Sequence, residues 1–592
     1  MHSNGSKTIA RGLRSGLVVA FATFLTFTVP GHESASAQGV SGQLPSIEYS
    51  SFLASSDFDE SLGVAFTPDG KIVVVGWTSG TDFPIRNAYR PSNNFFTADG
   101  FIAKIDPTQS GDASLLFSTY VGGDDGSDYT HDVDVDSSGF IYVLGDTRSS
   151  GLQADSVIFG TAGGSDIDIF VMKLTPDGQP VHTTIIGGSG VDAGFDIEVD
   201  ADGAMYVAGE TTSPDFPLRN PDDDVPTGDY SDEGFLFKLA PNGQSLEYST
   251  YIGGSHLDRA TRVALGSDGS AYVLARTSSL DFPVTRSYFP IVVSYPSFAA
   301  LKFGSTGQLV WSDLLGSGEA DGLAVDGEGQ VVVAGTTGGG NFPFVNSIRT
   351  VVEGTYDGFV MRIDASSSEV LISTLIGSPG VDDVHDMAVA PSGEVVVIGT
   401  TGSSAYPTVN GLVPFHEDFP GTGRGAEGFV TVLGSDTRTL LFSTYLGGTG
   451  EEVLRRVAIN AALDVFVGGT TKAQDFPTVD AFDEKPPNAL SHAFVTLFST
   501  KLSVAPPSIL RFVELEQPGK KYRIRVEGTN FQPGLSVYIG SDTTPWRKAK
   551  LTARGITLGS GRALKDRFPP GISVSVRVVN PDGGSASLGF TR

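Results

Sequence analysis

The sequence has no cysteine and little tryptophan, methionine or charge: 592 residues include 3 Trp, 5 Met and 18% charged residues. The absence of cysteine excludes a disulfide scaffold, a thiolate metal site, a catalytic thiol and a lipid-modified cysteine anchor. Glycine, by contrast, is abundant at 75 residues, and 40% of the chain is hydrophobic. Because Gly and Pro together stay below the roughly 25–30% of a low-complexity chain, the composition predicts a folded, turn-rich protein.

The N-terminus has the pattern of a secretory signal. Lys7, Arg11 and Arg14 precede an apolar stretch at residues 17–29, and Ala37 ends a small-residue cleavage pattern before Gln38. The apolar stretch would span about 20 Å as a helix, which is short of the roughly 30 Å of a bilayer core. We therefore expect a signal peptide at 1–37 with cleavage between Ala37 and Gln38, and a mature chain that is secreted or at the cell surface and has no transmembrane segment.

The net charge of −29 is unevenly distributed. Residues 38–502 carry a net charge of −39, whereas residues 503–592 carry +8. An acidic body repels phosphate backbones, so we expect no nucleic-acid partner for it. The basic tail is compatible with peripheral association with a surface.

A repeat of about 65 residues organises the body of the chain. A strand ending in glycine recurs with its first glycine at positions 122, 187, 253, 316, 377 and 447. Each repeat contains four short β-branched or aromatic runs separated by turn residues, which is the pattern of a propeller blade. Residues 47–52 match the fourth strand of a repeat and would complete the last one. We therefore predict an all-β fold, a seven-bladed β-propeller at 38–502 whose N-terminal strand closes the last blade.

Three recurring motifs resemble those of the bacterial β-propeller repeat family called SBBP. They are the Asp-Phe-Pro marker within 209–217, the third strand at 357–362 and the fourth strand at 248–254. The resemblance covers about 450 residues of the sequence. It implies a secreted or surface-associated bacterial protein, and it supplies no catalytic residues to transfer.

The tail differs from the repeats in its spacing. A Pro-rich linker is predicted at 503–507, and short alternating strands at 508–592 predict a β-sandwich. The step at 528–531 and the ending at 579–584 resemble the IPT/TIG domain, an immunoglobulin-like module of bacterial surfaces.

A carboxylate recurs before the first strand of every predicted blade. Such a ring could collect cations or contact a basic partner. Alternatively, each carboxylate could accept hydrogen bonds from backbone N–H groups of its own turn or of the neighbouring blade, which is the interpretation we favour. The ring consists of Asp59, Asp128, Asp192, Asp258, Glu319, Asp382 and Glu452.

A weaker metal candidate is the alternating run Asp132, Asp134 and Asp136. These carboxylates share one face of a strand and would repel one another unless they are solvated or bind a cation such as Ca²⁺. The run lacks the glycine and the distal glutamate of an EF-hand loop. No cofactor is otherwise expected.

Enzyme signatures are missing from the sequence: there is no G-x-S-x-G elbow, no H-E-x-x-H and no Walker A loop. No catalytic residue is therefore predicted, and we favour a role other than catalysis while keeping an enzyme as the alternative. Five arginines depart from the acidic repeats and would form ion pairs between blades or contact an anionic ligand. They are Arg259, Arg262, Arg276, Arg455 and Arg456.

The leading hypothesis is a monomeric, exported binding or scaffold protein. Its long-loop face, where the connections between strands two and three lie, would recognise an extracellular protein or a polysaccharide. The alternatives are an extracellular hydrolase or lyase that acts on polysaccharide and a purely structural component of the envelope.

Overall fold

The computed structural model describes residues 45–500 except for 94–96, 153, 159–166, 225–231, 290–296, 414–426 and 489. In the C-terminal region it describes residues 508–515, 522–529, 535–540, 545–547, 549–552, 555–559, 562–570, 572–579 and 585–591. The predicted signal peptide and linker lie outside the described residues. No helix in the described part of the chain is long and apolar enough to cross a membrane.

Four-stranded antiparallel groups recur along residues 45–500, after an initial strand β1 (Ser46–Leu53). Sheet 1 contains β2 (Asp59–Phe66), β3 (Ile72–Thr78), β4 (Asp99–Ile105) and β5 (Leu115–Val121), with a 3₁₀ turn at Gly111–Ala113. Sheet 2 contains β6 (Asp128–Val135), β7 (Ile141–Thr147), β9 (Asp168–Leu174) and β10 (Pro180–Ile186), and β8 (Ser156–Ile158) runs parallel to β10. Sheet 3 contains β11 (Asp192–Val199), β12 (Met205–Thr211), β13 (Glu233–Leu239) and β14 (Leu246–Ile252).

The later groups follow the same order. Sheet 4 contains β15 (Asp258–Leu265), β16 (Ala271–Thr277), β18 (Ser297–Phe303) and β19 (Leu309–Ser317), with β17 (Arg286–Ser287) parallel to β19. Sheet 5 contains β20 (Glu319–Val325), β21 (Gln330–Thr337), β22 (Gly354–Asp364) and β23 (Val370–Ile376). Sheet 6 contains β24 (Gly380–Val389), β25 (Val395–Thr401), β26 (Glu427–Leu433) and β27 (Leu440–Leu446), and β24 pairs briefly with β22 in parallel.

Sheet 7 is built from both ends of this region. It contains β28 (Glu452–Ile459), β29 (Asp464–Thr471) and β30 (His492–Ser499), and its outer strand is β1, which pairs antiparallel with β30. This pairing covers the edge of β30 with chain from the other end of residues 45–500, so β30 is not left as an open sheet edge.

The sheets contact one another in cyclic order through their first strands. Each first strand contacts the next one along the chain, and β28 of sheet 7 contacts β2 of sheet 1. A buried hydrophobic cluster lies between each pair of successive sheets, including one that packs sheet 7 against sheet 1. The first strands therefore enclose a central channel, and the apolar core lies between the sheets.

Tight turns connect the strands at the end of the sheets opposite the long connections. In sheet 3, Gly203 and Gly243 have φ values of 85° and 69°, a left-handed conformation that glycine adopts without steric cost. The Asp-Gly and Asn-Gly steps of the sequence indicate turns at these positions.

The Asp-Phe-Pro marker belongs to the core. Its aromatic residue is buried and packs against the phenylalanine of the third strand, as Phe83 does against Phe101 at 4.5 Å between ring centroids and Phe476 does against Phe494 at 4.3 Å. The chain then runs beside the outer strand, where short bridges such as Arg86 to Ser118 cover the sheet edge. Part of each long connection is therefore fixed on its own sheet.

The described residues of the C-terminal region form two small sheets. One contains β31 (Ser508–Glu514), β32 (Arg523–Thr529), β35 (Gly555–Gly559) and β34 (Ala549–Thr552), and the other contains β33 (Ser536–Ile539), β36 (Ser573–Val579) and β37 (Ser585–Thr591). A short helix, α1 (Arg562–Lys565), precedes β36. Buried residues of both sheets, among them Ile524 and Val576, share one hydrophobic cluster.

Candidate functional site: the mouth of the central channel

Every first strand has a β-bulge at the same place. In sheet 1 the pairing with β3 passes from Ser61 directly to Gly63, so Leu62 has no opposite residue, and the other six first strands skip one residue in the same way. A bulge re-aims the side chain of the extra residue. The seven bulge residues are of six different types, and they are Leu62, His131, Phe195, Thr261, Asp321, His385 and Arg455.

Six of the bulge residues line a cavity of about 270 Å³ at the end of the channel where the first strands begin. We call this cavity the vestibule. Its lining also includes Arg259, Arg262, Arg276 and Arg456. The vestibule thus combines apolar side chains, such as Leu62, with arginines.

Three arginines at the rim of the vestibule pair with carboxylates of neighbouring sheets. Arg276 Nη2 lies 2.6 Å from Asp321 Oδ1, and Arg455 Nη2 lies 2.6 Å from Glu60 Oε1. Arg259 pairs with Glu210 and also with Asp232, the latter at 3.1 Å. These contacts join sheet 4 to sheets 3 and 5 and sheet 7 to sheet 1.

Two further arginines cross the channel and form the floor of the vestibule. Arg456 of sheet 7 donates to the carbonyl oxygen of Phe195 in sheet 3 at 3.2 Å, and its Nε lies 3.6 Å from Asp132 Oδ1. Arg262 Nε lies 3.9 Å from carboxylate oxygens of both Asp196 and Asp386. Below this layer a second cavity of about 280 Å³ continues along the channel.

Each of the three aspartates of the weak metal candidate has hydrogen-bonding partners of its own. Asp132 and Asp134 accept hydrogen bonds from the backbone N–H groups of Ile197 and Val199 in the next sheet, at 3.1 and 2.8 Å. Asp136 lies in the following turn, where it accepts from backbone N–H groups of that turn. In the described part of the chain no group of three or more His, Cys, Asp or Glu side chains is arranged to hold a metal ion.

Burial dominates the protonation of the channel carboxylates. Burial, followed by the nearby Asp132 carboxylate, raises the pKa of Asp196 to about 8 even though Arg262 and Arg456 oppose the shift. Burial also raises the pKa of Asp134 to about 6 and that of Glu198 well above its usual value. Some of the channel carboxyl groups are therefore protonated and uncharged near pH 7.

The predicted acidic ring lies at the start of the first strands, and six of its members are buried. Asp192 is typical: it accepts from the backbone N–H of Gly188 at 2.6 Å and from the hydroxyl of Ser213 at 2.9 Å. Equivalent hydrogen bonds from a backbone N–H of the preceding turn are accepted by Asp59, Asp128, Asp258, Asp382 and Glu452. Glu319 differs, because its side chain is 58% exposed and pairs with Arg276.

A second titratable group, which the sequence analysis missed, stands beside the acidic ring. This residue lies at the start of the third strand, opposite the last threonine of the second strand, as Asp99 lies opposite Thr78. It also faces the ring carboxylate of the following sheet, as Asp99 faces Asp128. Arg90 and Arg349 neutralise two of these groups, at 3.0 Å from Asp99 and 2.7 Å from Asp357. The set is Asp99, Asp168, Glu233, Asp357, Glu427 and His492, with Ser297 at the same place in sheet 4.

Burial raises the pKa of several carboxylates at these junctions. The pKa of Asp99 rises to about 7, opposed by Arg90. The pKa of Asp192 rises to about 6 and that of Glu452 to about 8, opposed by their hydrogen bonds to hydroxyl groups. A recurring acidic residue at the start of the third strand is visible in the sequence, but its closeness to the ring carboxylate depends on packing between sheets.

Comparisons with known families identify the class of the fold. A family model described as a β-propeller repeat, SBBP, matches residues 116–153. A second model, described as a β-propeller domain of unknown function, matches residues 67–84. The chain is therefore an all-β protein with β-propeller repeats.

One curated relative is the regulatory protein FlaEY of Caulobacter vibrioides, which is 28% identical over 260 residues. The match covers 40% of this chain and only 26% of that protein. Among solved structures, a protein of unknown function from Dyadobacter fermentans is 12% identical, with a TM-score of 0.36, over 78% of this chain and all of its own. The C-terminal WD40 domain of Sif2 is 7% identical, with a TM-score of 0.35, over 76% of this chain and 98% of its own.

Proposed function

We propose that this protein is an exported, monomeric binding protein whose channel mouth and surrounding loop face recognise an extracellular glycan. The observation that carries the proposal is the chemical variety of the seven bulge residues on a frame that otherwise repeats. Positions that stabilise the sheets carry the same kind of residue in nearly every sheet, and the carboxylates of the acidic ring are an example. The six bulge residues that line the vestibule are all of different types, and such variety at one position of a repeating frame suits ligand recognition.

Exposed apolar side chains around the same end support a binding face. The residue just before the ring carboxylate is apolar and exposed in four sheets: Phe58 at 46%, Val191 at 40%, Leu257 at 53% and Val381 at 39%. Their backbone carbonyls accept bonds from the ends of the second strands, so the frame fixes their positions. Several apolar side chains repeated on one face favour contact with a partner.

Electrostatics favour an uncharged polymer as that partner. The body carries a net charge of −39, which repels polyanions such as nucleic acids and acidic polysaccharides. A neutral polysaccharide meets no such barrier. It can contact both the exposed apolar side chains that precede the ring carboxylates and the arginine–carboxylate pairs of the vestibule. A protein partner is the competing outcome of the experiment below.

A glycan array, supplemented by affinity electrophoresis in neutral polysaccharides, tests this proposal. The variant Phe58→Asp combined with Leu257→Asp should reduce retention of the protein by the polysaccharide at least about tenfold. It replaces two of the exposed apolar side chains on the proposed binding face with charged ones. The matched control is Val181→Asp with Val310→Asp, two apolar residues exposed at 46% and 57% at the starts of fourth strands, on the opposite end. The absence of glycan binding by the native protein, with capture of an envelope protein instead, would overturn the proposal.

A second candidate, hydrolysis of polysaccharide, is favoured by one observation. Burial raises the pKa of Glu210, which pairs with Arg259 at the vestibule rim, to about 7. A carboxyl group that is protonated near neutral pH can act as a general acid. A screen for reducing ends released from the bound glycan distinguishes the two: turnover that Glu210→Gln abolishes would make the protein an enzyme.

The architecture that we propose for this function is a seven-bladed propeller closed by β1, followed by an IPT/TIG-like sandwich. The pairing of β1 with β30 and the cyclic contacts of the first strands support the blade count. Two small sheets around one core support a sandwich for the tail. Export is supported by the signal pattern of the sequence, and N-terminal sequencing of protein recovered outside the cell should begin at Gln38.

A further inference from the structure

We propose that the vestibule is a subsite for one uncharged sugar ring of the glycan. This inference rests on the proposed function and specifies where and how a single residue of the polymer is held. It depends on three properties of the vestibule: its size, its apolar wall and the way its polar groups are paired.

The size of the vestibule suits a small ligand. Its volume of about 270 Å³ is just below the range of roughly 300–1,000 Å³ that is typical of pockets for larger organic molecules. The arginines of the floor, Arg262 and Arg456, bond across the channel and prevent a chain from passing straight through. A single ring with its neighbours outside the mouth is therefore the form of glycan that fits.

One wall of the vestibule is apolar. Phe195 and Leu62 line it as half-buried bulge residues of sheets 3 and 1. His131 lines it as well, and its ring is stacked on that of Tyr129 with 19° between the planes. The C–H face of a sugar ring is apolar and can pack against such side chains, which removes apolar area from water on both sides.

The polar groups of the rim occur as donor–acceptor pairs. Arg276 with Asp321, Arg455 with Glu60 and Arg259 with Asp232 each place N–H donors next to carboxylate oxygens. A sugar hydroxyl both donates and accepts, so it can bond to both members of such a pair. A carboxylate or phosphate ligand can use only the donors and would be repelled by the acidic partners.

Isothermal titration calorimetry of the full chain with glucose, galactose, mannose and N-acetylglucosamine tests this inference. We expect at least one of these sugars to bind, and we expect Phe195→Ala to weaken that binding about tenfold. Leu62→Trp, which fills the vestibule from its half-buried wall, is a second variant in case the first does not fold. The control is Val310→Ala at the opposite end, which should leave the affinity within about twofold of the native value.

The outcomes separate this inference from the proposed function. Retention of a neutral polysaccharide without binding of any single sugar, or with equal retention by Phe195→Ala, would overturn the vestibule subsite and leave the loop-face function standing. Failure of the native protein to bind either polymer or single sugar would overturn both. Tighter binding of galacturonate or inorganic phosphate than of every neutral sugar would also overturn the subsite.

Discussion

His492 Nδ1 lies 3.0 Å from Asp59 Oδ2, and both side chains are completely buried at the junction between sheet 7 and sheet 1. At five of the other junctions a carboxylate occupies the position of His492. An imidazole there provides Asp59 with a hydrogen-bonding partner in place of a second acid. The junction at which the last and first sheets meet is thereby spared the repulsion between two buried carboxylates.

We predict that His492→Glu destabilises the protein at pH 8, because it recreates the acid pair that Glu427 and Glu452 form. We expect a loss of about 1–3 kcal/mol in the free energy of unfolding, similar to that for an unpaired buried polar group. The loss should shrink as the pH falls towards 5, because the pair can then hold a proton. His492→Gln, which keeps a neutral donor, is the control and should show a smaller loss with little pH dependence. Urea unfolding at pH 5 and pH 8 measures both, and equal losses at the two pH values would contradict the explanation.

The pairing of β1 with the last sheet illustrates what the sequence could predict. Residues 47–52 match the fourth strand of the repeats, so their place beside the third strand of the last repeat follows from internal similarity alone. The strand pattern and the turns are local, and period and turn residues encode them. The four-stranded sheets were therefore within reach of sequence analysis.

The candidate site was only partly within reach. The bulges depend on pairing between β2 and β3 and on the equivalent pairs, so no sequence pattern marked Phe195 or His131 as vestibule residues. The five unusual arginines were noticed as departures from the repeat. Their partners, however, lie in other sheets, as Asp196 and Asp386 do for Arg262, and only the folded ring brings them together.

Glu452→Gln should stabilise the protein at alkaline pH. Burial raises the pKa of Glu452 from 4.5 to about 8, so the folded state holds a proton that the unfolded state has lost between these values. The free energy of unfolding therefore falls as the pH rises through this interval, by at most about 1.4 kcal/mol per pH unit. The amide cannot ionise, and it keeps an oxygen for the hydroxyl of Thr471. We expect a gain of about 1–3 kcal/mol at pH 9 and little change at pH 4, measured by urea unfolding.

Glu451→Gln is the matched control for that experiment. Glu451 is an exposed neighbour that pairs with Lys472 at 2.6 Å. Exposed pairs contribute about 0–1 kcal/mol, so this variant should change stability little at either pH. A stability profile of Glu452→Gln that parallels the native profile from pH 4 to pH 9 would contradict the raised pKa.

Arg456→Met should destabilise the protein strongly at neutral pH, because it leaves Asp132 and Asp196 without their cross-channel cation. Removal of one partner of a buried ion pair costs about 3–5 kcal/mol. The cost should increase as the pH rises through 8, because Asp196, whose pKa is about 8 in the native protein, then loses its proton and becomes a buried charge without Arg456 beside it. The control is Arg259→Met, which removes a more exposed pair and should cost about 1 kcal/mol or less. Thermal unfolding at pH 7 and pH 9 tests both variants, and equal effects of the two would contradict a structural role for the floor of the vestibule.

Gly209→Ala should destabilise sheet 3 through a close approach of the backbone at the bulge. A Cβ atom at this position would lie 2.1 Å from the carbonyl oxygen of Ala193 and 2.4 Å from the ring of Phe235. We expect a loss of about 1–3 kcal/mol, as for other insertions into a packed core. Sheet 4 carries Ala275 at the equivalent position, so the reverse change Ala275→Gly is the control and should cost about 1 kcal/mol or less. Chemical unfolding compares the stabilities of the two variants. If Gly209→Ala leaves the stability unchanged, the bulge can relax. The orientation of the bulge residue Phe195 would then not be fixed by the packing of sheet 3.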